Sequence, residues 1–224
     1  MKISIIIPTY NESNNITSTV TPLQTWRSKG HEIIVVDGGS TDNTLALTNG
    51  LTDITFQGPK GRAAQMNAGA KTASKEILLF LHADTMLPEN AIELIQDGLI
   101  TSQRAWGRFD VRLSGKQKTL RIVERMMNWR SRLTGIASGD QAIFVFKNDF
   151  DHLGGFAEIP LMEDIELSKR LKRVSRPFCI QEPLTTSSRR WEQYGIYRTI
   201  FLMWRLRLAY FFGVSPERLA KLYL

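Results

Sequence analysis

Short apolar runs separated by helical segments recur through the first half of this 224-residue chain, and that alternation limits the fold more than any other feature. Residues 2–7 (Lys-Ile-Ser-Ile-Ile-Ile), 32–37 (Glu-Ile-Ile-Val-Val-Asp) and 77–81 (Ile-Leu-Leu-Phe-Leu) are nearly unbroken apolar stretches. Such stretches belong to strands buried on both faces, as in a parallel sheet covered by helices. A weaker strand falls at 53–57, and Pro8 is expected to stop the first one. Between the strands lie helix-start residues (Asn11, Glu12, Ser13) leading to about Lys29, with a break at Pro22 and a stop at Gly30. The flexible turn Gly38-Gly39-Ser40-Thr41-Asp42 follows the second strand, and a helix of small residues runs from Gly61 to about Ala73. Strand and helix alternating at this spacing predict an α/β fold with a mostly parallel sheet and right-handed crossovers.

Beyond Pro88 the alternation loosens. A helix is expected over 88–100, a strand over Trp106–Leu113, a mixed helix over 117–133 and a strand over 142–146. Gly154-Gly155-Phe156 is a turn, and a further helix is expected to start at Pro160. This half completes the sheet and supplies the second side of a cleft.

The single cysteine, Cys179, sits in a strand-like run and has no internal disulfide partner, which suits a reducing compartment. Ile5-Ile6-Ile7 is too short for the core of a secretion signal, and no apolar run approaches the length of a spanning helix. The sequence therefore reads as cytoplasmic. A net charge of +7 points to anionic partners: phosphorylated ligands, nucleic acid or a membrane face.

Three features stand at predicted strand ends. Asp37 closes the second strand, where many nucleotide-binding folds place an acid against a ribose or base. Lys60 and Arg62 flank Gly61 at a helix entry, a setting suited to phosphate. His82 and Asp84, two apart on a presumed extended segment, would point the same way and could hold a divalent cation. Each alone is ordinary turn or loop polarity; together at one sheet edge they favour a site for a nucleoside diphosphate and a metal. Neither a G-x-G-x-x-G after the first strand nor a phosphate-binding P-loop is present.

The second half supplies an acid. On the helix expected from Pro160, Leu161, Ile165, Leu167 and Leu171 share an apolar face, while Glu163, Glu166 and Arg170 fall on the other. Asp164 breaks the pattern by facing inward with the leucines, which suits a general base. Arg189-Arg190-Trp191 offers guanidiniums and an indole to a diphosphate and a ring. Residues 196–212 form a helix apolar nearly all round, with Arg198 and Arg205 on one face. It must be covered by the domain, by a second subunit, or by a membrane surface.

The segments IIIPTYNE, VVDGGSTDNT, GPKGRAAQMNAGA, LFLHADT and MEDIEL together resemble the family 2 glycosyltransferases in order and spacing, over about residues 2–175. That resemblance implies a GT-A fold and inverting transfer of a sugar from a nucleotide-diphosphate sugar to a hydroxyl acceptor, small or lipid-linked, with Mn²⁺ or Mg²⁺. It implies that Pro8, Tyr10, Glu12 and Asp37 hold the nucleoside, with Arg62 near the base or phosphates. Asp84 would be the metal ligand of a D-x-D-like element, Asp164 the base, with Glu163 beside it, and Asp140 and Gln141 would line the acceptor side. The chain would then be one domain over 1–224: a nucleotide-binding half (1–100), an acceptor and catalytic half (101–183) and a helical extension (184–224).

Two departures stand out. His82 replaces the first acid of the D-x-D element, although imidazole is itself a good ligand. Ser187 stands where processive members carry Gln ahead of Arg190-Trp191, which argues against a polymer synthase. The segments WGRFDVRLSG, LGGF and SSRRWE resemble, more narrowly, a small bacterial subgroup linked to arsenosugar biosynthesis. Two rival readings remain at this level. A nucleotidyltransferase would want a Gly-rich basic loop after the first strand, which Pro8-Thr9-Tyr10-Asn11 is not. A non-catalytic module binding nucleic acid or membrane through its basic surface would leave Asp37, Asp84 and Asp164 no reason to converge. Nucleic acid is not expected as a partner.

Overall fold

The computed structural model describes residues 1–223. One sheet holds β1 (Ile3–Thr9), β2 (Glu32–Asp37), β3 (Ile54–Gln57), β4 (Ile77–Phe80), β5 (Thr85–Met86), β6 (Trp106–Leu113), β7 (Phe144–Phe146) and β8 (Phe178–Thr186). Their order is β3-β2-β1-β4-β7-β6-β8-β5, with β5 and β7 antiparallel to their neighbours and the other pairings parallel. The expected mixed, mostly parallel α/β sheet is what the chain forms.

The unbroken apolar runs are explained by two cores, one on each face. Ile3, Ile5, Ile7, Ile33, Val35 and Leu79 pack beneath α1 (Ile16–Val20), α2 (Gln24–Arg27) and α5 (Ala91–Ser102). Ile6, Ile34, Val36, Leu78 and Phe80 turn the other way, toward α4 (Arg62–Thr72), α7 (Lys147–His152) and α8 (Glu163–Val174). The short α3 (Thr44–Leu47) lies between β2 and β3 in the chain. The small residues of α4 let it approach closely: a Cβ at Gly69 would stand 2.5 Å from Cγ2 of Ile6. α6 (Lys118–Thr134) lies on β6, where the Asn128 side chain receives the amide of Val111 and donates to its carbonyl. The C-terminal extension is α9 (Arg189–Tyr194), α10 (Ile196–Phe211) and α11 (Pro216–Tyr223). Ile196 packs on Leu120 and Val123 of α6, and Leu206 and Leu219 pack on Met162 and Ile165.

Three expectations need correction. β1 continues through Pro8, because Pro8 faces the β4 side after the last bond of that ladder, from Leu81 N–H to the Ile6 carbonyl, so no N–H is missed. Residues 82–85 are a turn closed by Thr85 N–H on the His82 carbonyl at 3.1 Å, so His82 and Asp84 are not neighbours on an extended strand. The helix expected from Pro160 begins at Glu163, after Met162 in the left-handed region at φ 72°. That later start turns Glu163 inward, 7% exposed, so the contrast drawn between an inward Asp164 and an outward Glu163 fails. The domain covers α10 on one side alone, which keeps the second-subunit and membrane alternatives open: Ile196, Thr199 and Leu206 are buried, and Tyr197, Phe201, Trp204, Leu208 and Phe211 are exposed.

Candidate active site

Parallel strands deliver their carboxyl ends to one edge of the sheet, and there the chain opens into a cleft of about 620 Å³. β1 ends in Pro8, Thr9 and Tyr10, with Glu12 behind them. The entry to α4 contributes Lys60, Gly61 and Arg62, the turn after β4 His82 and Asp84, and the 3-10 turn Gly139–Gln141 contributes Asp140. β5 is only two residues long, but its pairing of Thr85 with Thr186 sets the His82–Asp84 turn beside the end of β8. From there Ser187, Arg189, Arg190 and Trp191 complete the rim.

The charges are arranged unevenly. Among the described residues the Asp84 carboxylate has no hydrogen-bond donor or ion-pair partner. Burial raises its pKa, and Glu12 and Asp140 raise it further against the opposing pull of His82 and Arg189. A half-buried, unpaired carboxylate beside other acids suits a cation. No three acid, His or Cys side chains among the described residues form a ready-made cage, so a metal would need other ligands as well. His82 Nδ1 stands 3.4 Å from Asp140 Oδ1, and its Nε2 packs against Gly139, where a Cβ would be 2.7 Å away. Crowding works against the Asp140 charge, but the bond and charge of His82 and then Arg62 hold its pKa below the ordinary value.

Positive groups line the same cleft. Arg62 opens α4, whose N-terminal amides add partial positive charge, and its Nη1 is 4.0 Å from Glu163. Arg189 reaches Glu12 at 3.1 Å. Arg190 donates to the Tyr223 carbonyl at 2.6 Å and stacks on the Tyr223 ring at 3.7 Å. Lys60 lies 5.8 Å from the centre of the exposed Tyr10 ring.

Several expected site residues are not brought to the cleft wall. Asp37 is fully buried beneath the turn, accepting the amides of Gly39 and Ser40 and the hydroxyls of Ser40 and Thr9. It shapes the turn and has no oxygen facing the cleft. Gln141 is fully buried and closes a capping box with Ser138. Asp164 and Glu163 line a side chamber of about 10 Å³, room for no more than one water, that shares Arg62 and His82 with the cleft. There Asp164 Oδ2 accepts the Gly139 amide at 2.8 Å, and burial together with the Asp164 charge raises the Glu163 pKa. Conversely, Tyr223, Thr199 and Met203 line the cleft without any local signal in the sequence, since they arrive on the C-terminal helices. Gln65 was also missed; its amide donates to the carbonyls of Thr9 and Val36 and locks β1 to β2 at the cleft floor.

Comparisons with known proteins bear on the family and fold of the chain. A poly-beta-1,6-N-acetyl-D-glucosamine synthase of Staphylococcus aureus is 32% identical over 95 residues, 40% of this chain and 23% of that protein. An uncharacterized glycosyltransferase of Nostoc sp. is 30% identical over 109 residues, 46% of this chain and 34% of that one. The matches thus span about a quarter to a third of these curated relatives. Among solved structures, S. aureus TarS 1-349 in complex with UDP-GlcNAc superposes with a TM-score of 0.70 at 18% identity, over 84% of this chain and 58% of that one. The mannosyltransferase PcManGT from Pyrobaculum calidifontis in complex with GDP-Man and Mn²⁺ gives 0.67 at 19% identity, over 99% and 68%. These likenesses show a shared, GT-A-like fold. The family model of glycosyl transferase family 2 matches residues 4–151, which carry β1 to β7 and the turns bearing Glu12, Arg62, Asp84 and Asp140. With two thirds of its length so matched, the chain belongs to glycosyl transferase family 2.

Proposed function

We propose that the chain transfers a sugar from a nucleoside-diphosphate sugar to an acceptor hydroxyl in one displacement that inverts the anomeric carbon. The observation that carries this reading is the unpaired Asp84 carboxylate in a cleft that also presents Arg62, Lys60, Arg189 and Arg190. A divalent cation fits at Asp84, where it would neutralise the charge developing on the departing diphosphate; Mn²⁺ in the PcManGT complex and UDP-GlcNAc in the TarS complex support that assignment. Tyr10 offers its exposed ring to the base, and the α4 entry and Arg189 bind the phosphates. Asp164, held at Oδ2 by the Gly139 amide, takes the proton of an acceptor hydroxyl that enters the one-water chamber beside the cleft. Asp140, held by His82, positions the acceptor from the cleft side. The narrower resemblance to the arsenosugar-linked subgroup bears on the choice of acceptor alone.

Release of nucleoside diphosphate from a panel of nucleotide sugars, with and without Mn²⁺, tests the reading. Turnover of one donor by the native chain and its loss in Asp164→Asn support it. Equal turnover in Asp164→Asn but none in Asp140→Asn would move the base to Asp140.

A further inference from the structure

Two helices carry an exposed apolar stripe each. On α6 it is Ile122, Met126, Trp129 and Leu133; on α10 it is Tyr197, Phe201, Trp204, Leu208 and Phe211. Both repeat at the i, i+4, i+7, i+11 spacing of a single helix face, yet that face is turned to solvent: Trp129 is 66% exposed, Phe201 71% and Trp204 62%. The helices touch through Leu120, Val123 and Met127 of α6 and Ile196 and Ile200 of α10. At about 100° per residue, the α10 stripe lies roughly a quarter turn, and the α6 stripe roughly a third of a turn, from those contacts on the outward side, so the two run next to one another.

Charge decides what such a surface fits. Arg198 and Arg205 border the stripe of α10 on the side away from α6, exposed and without an acid partner among the described residues. Arg125 and Arg132 border that of α6 on the side away from α10, Arg132 being paired with Asp110. α10 contains no acid, and the sole acid of α6, Glu124, is buried and bonded to the amide of Leu113 and to Arg121. Against a second copy in a two-fold contact, the same basic edges would oppose one another with nothing to neutralise them. Interfacial aromatics in the middle, arginines along both edges and no exposed acid match the layered chemistry of an anionic lipid surface.

We propose that α6 and α10 together dock this chain, without spanning, onto an anionic lipid bilayer. No helix of the described residues is long and apolar enough to cross one. Because Thr199 and Met203 of α10 line the cleft, the docked bilayer lies about one helix diameter, roughly 10 Å, from it.

Co-sedimentation of the full chain with phosphatidylglycerol–phosphatidylcholine vesicles, against phosphatidylcholine alone, tests this without reference to catalysis. Trp26 and Trp106 are buried and the half-buried Trp191 faces the cleft, so a blue shift of fluorescence on binding that disappears in Trp129→Phe with Trp204→Phe reports on the stripes themselves. The docking predicts binding to the anionic vesicles, weakening with salt, and a fall of about tenfold or more in Arg198→Glu with Arg205→Glu. Failure to sediment with anionic vesicles would overturn it. So would equal binding by the charge-reversed variant, or a fluorescence shift that follows protein concentration and dimer formation in ultracentrifugation rather than lipid.

Discussion

The amide of Gly139 donates to Oδ2 of Asp164 at 2.8 Å, which ties the first turn of α8 to the turn that carries Asp140. Gly139 has a second task in the same place, since its Cα hydrogen faces the imidazole of His82. Adding a Cβ there would bring a methyl to 2.7 Å from Nε2 and 2.9 Å from Cε1. Gly139→Ala must therefore push His82 off Asp140. It is expected to lower turnover by about tenfold or more while circular dichroism stays native. Unchanged turnover would show that the His82–Asp140 contact is not needed.

Asp164→Asn keeps an oxygen for the Gly139 amide but cannot accept a proton. Turnover should fall by about 10² to 10⁴ with the affinity for donor nucleotide retained. Steady-state kinetics alongside nucleotide titration separates the two, and a parallel loss of nucleotide affinity would point to a structural role.

Asp84 gives a prediction with a sign. Burial raises its pKa in the folded chain, so the folded state favours the protonated form. Its contribution to stability is then most favourable below the unfolded pKa and is lost as pH rises through the raised value. At neutral pH without metal, Asp84→Asn is expected to raise Tm. The native protein should lose metal affinity on acidification at a higher pH than an exposed aspartate would. A Tm that falls in the variant, measured by calorimetry without metal, would contradict this account of the site.

Arg130 of α6 keeps Nε and Nη2 buried without a hydrogen-bond partner among the described residues, while burial and then Arg207 push its pKa down. Replacing an uncompensated buried charge with an apolar chain of similar length is generally stabilising. Arg130→Met should raise Tm by about 2–4 °C, the shift that roughly 1 kcal/mol gives a domain of this size. A lower Tm would show that Asp164 compensates the guanidinium.

The sheet was legible because its information is local. The runs at 2–7, 32–37 and 77–81 announce burial on both faces, and Gly30 and Pro22 mark breaks that the structure keeps. The misjudged points depend on neighbours distant in sequence. Pro8 is tolerated only because β4 ends at Phe80. Glu163 is buried because the left-handed Met162 delays the helix and places it near Arg62. Asp37 closes its strand as expected, and the turn that follows it donates to its carboxylate from Gly39 and Ser40. Tyr223 reaches the cleft through the packing of Leu206 and Leu219 on Met162 and Ile165, which no local pattern encodes.

The most direct measurement is thermal stability in a panel of UDP, GDP, dTDP and CDP, with and without Mn²⁺, for the native chain and Asp84→Asn. A ligand at about 100 times its Kd stabilises a fold by roughly 2.7 kcal/mol, a readily visible shift. The account predicts that one nucleotide stabilises the native chain only with metal, and that Asp84→Asn removes the effect. Stabilisation by no nucleotide at any metal concentration, or an equal shift in the variant, would contradict it.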